Sequence, residues 1–139
     1  MKKIVILAAL ALLLAPAAGA QTQGDAPKIN KKNLVIKEWN TAAGTNKKVL
    51  DHQTIYNPEG KKLEEKEFNS DGLKWRKRYE YNAAGKVSVE RVYNEKNKLV
   101  TVKKFEYNEF GRKKVQYNYD AKGKLLTTKT FEYIAQDSE

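Results

Sequence analysis

The chain has no cysteine, so an exported form would hold together without disulfides, and both thiolate zinc sites and thiol nucleophiles are excluded. Its one histidine, His52, has no second histidine or cysteine to join it and reads as an ordinary strand residue. There is no glycine-rich phosphate loop, no nucleophile elbow and no metal-ligand spacing, and no pair of carboxylates stands apart from the rest. These absences argue against an enzyme and imply neither a cofactor nor a metal. No segment beyond the first twenty residues repeats its apolar positions at the helical period, so an all-α fold has no support.

What is present begins with an export signal. "MKK" is a basic opening, "IVILAALALLLA" (4–15) an apolar run and "AGA" (18–20) a small-residue cleavage site. The run is shorter than the roughly 20 residues that a membrane span requires, and Pro16 interrupts its end. Residues 1–20 are therefore expected to be a signal peptide, with periplasmic or extracellular destination and no transmembrane segment after cleavage. No cysteine follows to take a lipid. Residues 21–33 read as a flexible polar leader, 34–134 as one repeat domain and 135–139 as a loose tail.

Charge is abundant and unbalanced. There are 27 Lys and Arg against 17 Asp and Glu, a formal net charge of +10, and loss of Lys2 and Lys3 with the signal would leave +8. Such a balance keeps a strand-rich protein soluble and favours anionic partners.

The domain repeats a short phrase. "YNPEGK" at Tyr56 returns as "FNSDGL", "YNAAGK", "YNEKNK", "YNEFGR" and "YDAKGK", and fades at Tyr133. The leading aromatics lie 12, 13, 12, 14, 12 and 14 residues apart, so every second one recurs after 25 or 26 residues. A period of that length marks a repeat architecture whose unit is a pair of strands. In each phrase the Asn or Asp bonds its side chain to nearby amides, and the fourth residue supplies a positive φ. The turn positions are Asn57 and Gly60, Asn69 and Gly72, Asn82 and Gly85, Asn94 and Asn97, Asn108 and Gly111, and Asp120 and Gly123. The pattern matches a type I turn closed by a glycine bulge, a common hairpin connection.

Between the turns, segments such as "KVSVERVY" and "KLLTTKTFEY" alternate with the period of two that strands require. The expected fold is all-β: an antiparallel meander of about eight strands forming one curled sheet or open barrel. Simple pairing across each turn predicts one aromatic face, carrying Trp75, Tyr79, Tyr81, Tyr93, Phe105, Tyr107, Tyr117, Tyr119 and Phe131, and one solvated face relieved by a Val92 and Val100 pair. The same pairing sets Lys77 opposite Arg91 and Lys103 opposite Tyr117. The third strand, "KKLEEKEF", breaks the alternation, because Leu63 and Phe68 fall on opposite faces unless a bulge shifts the register.

The candidate binding residues are Trp75, Lys77, Tyr79, Arg91, Tyr93, Lys103, Tyr117 and Lys129. Rings stack on sugar faces while cations meet acidic groups, so a basic strip bordered by rings suits an extracellular polymer such as carbohydrate. The competing reading is purely structural, with the rings forming a ladder and the Lys and Arg stems reaching past them to water. The expected role is thus a binding or structural module of the cell envelope; a protein-interaction or self-association role, with the aromatic face buried by a partner, is the alternative. A partner would be extracellular carbohydrate or an envelope protein, with nucleic acid disfavoured.

"YNAAGKV", "YNEFGRK" and "YDAKGKL" resemble the YD repeats of the RHS family, over roughly residues 56–133. The chain is also similar to small exported bacterial repeat proteins of uncharacterised function. The resemblance implies a continuous, curling antiparallel sheet that binds carbohydrate or partner proteins at the cell surface. Asn replaces Asp in most copies, which removes the acid from the motif and argues against a charge-dependent role there. The MORN-variant antitoxin family shares a short Tyr and Gly hairpin repeat, but an export signal does not suit a cytoplasmic antitoxin.

Overall fold

The computed structural model describes residues 27–137. The expected signal peptide, residues 21–26 of the leader and residues 138–139 of the tail lie outside the described residues. Eight strands follow one another: β1 (Val35–Thr41), β2 (Lys48–Tyr56), β3 (Lys62–Asn69), β4 (Gly72–Tyr81), β5 (Val87–Tyr93), β6 (Leu99–Tyr107), β7 (Lys113–Asp120) and β8 (Leu125–Thr130). They form a single sheet in chain order, every neighbour antiparallel, and β1 and β8 are its two edges. The meander is open, as an uninterrupted series of hairpins without a closing pair must be.

Five of the six turns are built as the recurring phrase predicts; in the sixth, Asn69 accepts the amide of Asp71 alone and pairs directly with Gly72, so Phe68 meets Leu73 across a loop one residue shorter. Asn57 Oδ1 accepts the amides of Glu59 and Lys61, Asn82 those of Ala84 and Lys86, and Asn94 those of Lys96 and Lys98. Asn108 and Asp120 repeat the arrangement on Phe110 and Arg112, and on Lys122 and Lys124. Only the side-chain oxygen is used, which is why Asn and Asp interchange. Asn97 takes φ 61° where the other copies have glycine, since Asn tolerates that region best among residues with a Cβ. Asn108→Asp is therefore expected to leave stability within about 0.5 kcal/mol. Asn108→Ala, which loses both bonds, costs about 1–2 kcal/mol in urea unfolding.

A different turn precedes β1, in a stretch assigned to the leader. Lys32 donates its amide to Asn30 Oδ1 and Leu34 its amide to the Lys31 carbonyl, with Asn33 at φ 54°. The Asn33 amide bonds the Asn57 carbonyl, which ties residues 30–34 to the first repeat turn.

Every hairpin pairing shifts register once, and the shift decides the faces. Tyr81 pairs with Val87 and Glu80 with Val89, so Ser88 is the extra residue of a bulge. Val100 and Leu63 are bulged in the same way: Tyr93 pairs with Leu99 and Val92 with Thr101, while Tyr56 pairs with Lys62 and Ile55 with Glu64. The bulge at Leu63 resolves the irregular third strand, and Phe68 pairs with Leu73. A one-residue slip carries the rest of a strand to the other face.

The single aromatic face is therefore corrected. Lys77 lies opposite Val92 and Arg78 opposite Arg91; Lys103 lies opposite Asn118 and Lys104 opposite Tyr117. Val100 is unpaired rather than the partner of Val92. Because directly opposed residues share a face, the aromatics beside successive turns alternate sides. Trp75, Tyr79, Tyr81, Phe105 and Tyr107 share the Trp75 face, whereas Tyr93, Tyr117 and Tyr119 lie on the other, the Arg76 face.

No hydrophobic residue among the described ones is buried; only Thr54 and Glu64 fall that low, at 6% and 8% exposure. The sheet is a single layer with solvent on both sides. Its units are joined by tyrosines at one end of the sheet. Tyr81 donates its hydroxyl to the Lys62 carbonyl (2.6 Å), Tyr107 to Val87 (2.6 Å) and Tyr133 to Lys113 (2.7 Å). For Tyr81 and Tyr107, each acceptor belongs to the residue paired with the tyrosine one unit earlier, and Lys113 likewise pairs with Tyr107. Lys61 Nζ adds a bond to the Gly85 carbonyl of the next turn at 3.1 Å.

Candidate functional site

The eight residues proposed from sequence divide between the faces. Trp75, Lys77, Tyr79 and Lys103 are on the Trp75 face, joined by Lys129 through its pairing with Gln116. Arg91, Tyr93 and Tyr117 are on the Arg76 face. No one ligand-binding strip can contain all eight.

On the Trp75 face, strands β2 to β5 carry a tightly partnered cluster. Glu65 accepts the Tyr79 hydroxyl and pairs with Lys62 at 3.1 Å and His52 at 3.6 Å. His52 meets the Trp75 ring edge-on with centroids 5.9 Å apart. Lys77 Nζ lies 5.0 Å from the Trp75 ring centre and 3.9 Å from Glu90. Both cations and rings are thus already occupied there, and the arrangement is chiefly cross-strand pairing.

On the Arg76 face the centre is Glu64. Arg76 Nη1 donates to it at 2.8 Å, and Lys66 and Arg78 approach at 3.3 and 3.6 Å. Arg76 also donates to Asn97 Oδ1 at 2.9 Å and lies 4.0 Å over the Tyr93 ring. Arg91 pairs with Glu80, and Lys104 lies 5.2 Å over Tyr119. Two shallow depressions follow, of about 370 and 350 Å³; the first is lined by Arg78, Glu80, Arg91 and Tyr93, the second by Arg91, Val102, Lys104 and Tyr119.

Burial raises the Glu64 carboxyl, but hydrogen bonds from Arg76 and Lys66 outweigh it and hold the group below its ordinary 4.5. Glu65 is likewise raised by burial and brought below 4.5 by bonds from Tyr79 and Lys62. A carboxyl depressed in the fold adds stability that is complete above its unfolded value and is lost as pH falls through its folded value. The melting temperature is expected to fall in thermal scans as the pH drops below the ordinary carboxyl value of 4.5, and Glu64→Gln to flatten that fall. Tyr79 is shifted well above its ordinary 10.0 by burial and by its bond to Glu65. Its share of stability is therefore present below pH 10 and lost above it.

Among the described residues the ion pairs all lie between His52 and Arg91. Beyond them, residues 96–130 hold ten Lys and Arg but only Glu106, Glu109 and Asp120 as acids, whereas residues 35–95 hold twelve basic and ten acidic side chains. The molecule's positive excess is thus concentrated on β6 to β8, a division that the residue counts contain but the overall balance conceals. Among the described residues no group of three His, Cys, Asp or Glu could hold a metal ion.

No family model matches the chain, and no curated protein matches it. Among solved structures the chain is similar to one titled crystal structure of GtfA/B complex bound to UDP and GlcNAc, at 10% identity and a TM-score of 0.32. That match covers 68% of this chain and 19% of the other, so it spans about a fifth of that protein, and at that TM-score it carries no argument.

Proposed function

We propose that this is an exported, non-enzymatic binding module of the cell envelope that recognises an extracellular polymer such as carbohydrate across its sheet surface. The observation that carries the reading is the open single layer, with solvent on both faces and, over residues 96–130, ten Lys and Arg against three acids. A long polymer can lie across strands, while a small molecule needs a deeper enclosure than these depressions offer. The likeness of the turn phrase to YD repeats belongs to the same proposal. A glycan panel tests it, with Trp75→Ala and Tyr117→Ala as separate variants because their rings stand on opposite faces. Binding by the wild type supports the reading, and a loss in one variant alone shows that its ring takes part; no binding to any glycan contradicts it.

A second reading, self-association, is favoured by the apolar residues exposed at the sheet edges. Val35, Ile36 and Trp39 stand on β1, and Leu125, Leu126, Tyr133 and Ile134 on or beyond β8. Unpaired edges of that character template pairing with another chain. Light scattering distinguishes the readings: a monomer across the micromolar range supports the polymer binder, and a concentration-dependent oligomer the assembly module.

A further inference from the structure

The charge excess of β6 to β8 has a definite place on the sheet. Lys103 pairs with Asn118, and Asn118 with Thr127, forming one row across three strands. The next row is Phe105, Gln116 and Lys129, and the next pairs Tyr107 with Lys113. All of these stand on the Trp75 face, in a patch about 10 Å across and about 14 Å along the strands. Its lysines meet few acids. Asp120 has its Oδ1 committed to the turn amides of Lys122 and Lys124, and Glu90, opposite Lys103 on β5, is already paired with Lys77.

Neutral hydrogen-bonding groups fill the space between the lysines. Gln116 Nε2 donates to Asn118 Oδ1 and Asn118 Nδ2 to Thr127 Oγ1, each at 2.8 Å. This chain fixes the amide orientations and leaves Gln116 Oε1, the Thr127 hydroxyl hydrogen and a second N–H on each amide directed outward. The two phenylalanines are not free for stacking, because Lys113 lies 4.5 Å over Phe105 and Lys129 5.1 Å over Phe131.

We infer that this patch is the site of a carboxylated polysaccharide, whose acids meet Lys103, Lys113 and Lys129 and whose hydroxyls meet the Gln116, Asn118 and Thr127 ladder. The inference rests on the polymer-binding reading and gives it a place and a ligand class. Bases are disfavoured because the rings are covered. Phosphate is disfavoured because the patch offers lysine point charges and no arginine fork. The extent of the patch, about 10 Å by about 14 Å, also suits several units of a sugar chain better than a point ligand.

The test is titration of the full exported chain with polygalacturonate. Lys103→Gln, Lys113→Gln and Lys129→Gln are combined in one variant, and Lys104→Gln forms a control on the Arg76 face. The triple variant is expected to bind about 30-fold more weakly or worse, and the control within about twofold of wild type. Wild-type binding should also weaken steeply with added salt. Circular dichroism checks folding; if the triple variant is unfolded, the exposed single changes Lys113→Gln and Lys129→Gln carry the test, each expected to weaken binding. Unchanged affinity in the triple variant, or loss confined to the control, overturns the site while leaving polymer binding intact. A wild type that binds neutral glycans and not polygalacturonate overturns the ligand class alone. Equal or tighter binding of duplex DNA or of phosphatidylserine vesicles through the same lysines overturns it as well.

Discussion

Replacing Glu64 by alanine is expected to lower the stability of the folded sheet by about 2–3 kcal/mol, the largest effect of any side-chain truncation. Glu64 is 8% exposed and stands among Arg76, Lys66 and Arg78, which are themselves drawn together by it. Without the carboxylate, three cations on adjacent strands repel one another at short range, and Arg76 loses its 2.8 Å partner. The estimate sits below the usual cost of breaking a fully buried pair because Arg78 reaches solvent. Glu64→Gln keeps an acceptor and drops the charge, so about half the loss is expected. Glu67→Gln is the comparison: that carboxylate holds only Lys74, at 3.3 Å, and its loss should cost about 0.5 kcal/mol or less. Urea unfolding of the three variants measures the order. With no buried apolar residue in reserve among the described residues, a loss of this size is a large share of the whole stability.

Gly85→Val is the second large effect, at about 2–3 kcal/mol. Gly85 has φ 79°, a conformation that a β-branched side chain resists, and an added Cβ would lie 2.9 Å from Lys61 Nζ. The lysine end can swing aside, but doing so gives up its bond to the Gly85 carbonyl and its position 5.5 Å over the Tyr81 ring. The insult thus reaches from one two-strand unit into the next. Gly85→Asn should cost about 1 kcal/mol, because Asn97 already holds the equivalent place at φ 61°. A melting-temperature series over the two variants shows whether the backbone angle or the added volume dominates.

Strand number, antiparallel order and turn chemistry were legible in the sequence because each is a local property. The Asn and Gly phrases fix their own geometry, and their spacing counts the strands. The pairs beside the turns, Tyr81 with Val87, Tyr93 with Leu99 and Tyr119 with Leu125, follow from the turn alone. Face assignment did not, since it depends on a bulge one residue further along each strand. Ser88, Val100 and Leu63 look like ordinary strand residues, and nothing in their chemistry marks them as extra. Once Ser88 is skipped, Tyr93 joins Arg76 and Lys77 loses Arg91. For the same reason the aromatic and basic strip became two surfaces, each ion-paired over β3 to β5, while Lys103, Lys113 and Lys129 lie beyond those pairs on the Trp75 face. The turn at Asn30 was hidden differently, because no strand-like segment precedes it.

The most direct measurement is an amide and side-chain NMR map of the protein titrated with polygalacturonate fragments. If the polymer lies on the Trp75 face of β6 to β8, the signals of Lys103, Lys113, Gln116, Asn118, Thr127 and Lys129 shift together, while the ring signals of Tyr93 and Tyr119 on the opposite face stay in place. Shifts centred on Tyr93, Arg91 and Tyr119, with the lysine rows unmoved, would contradict the account.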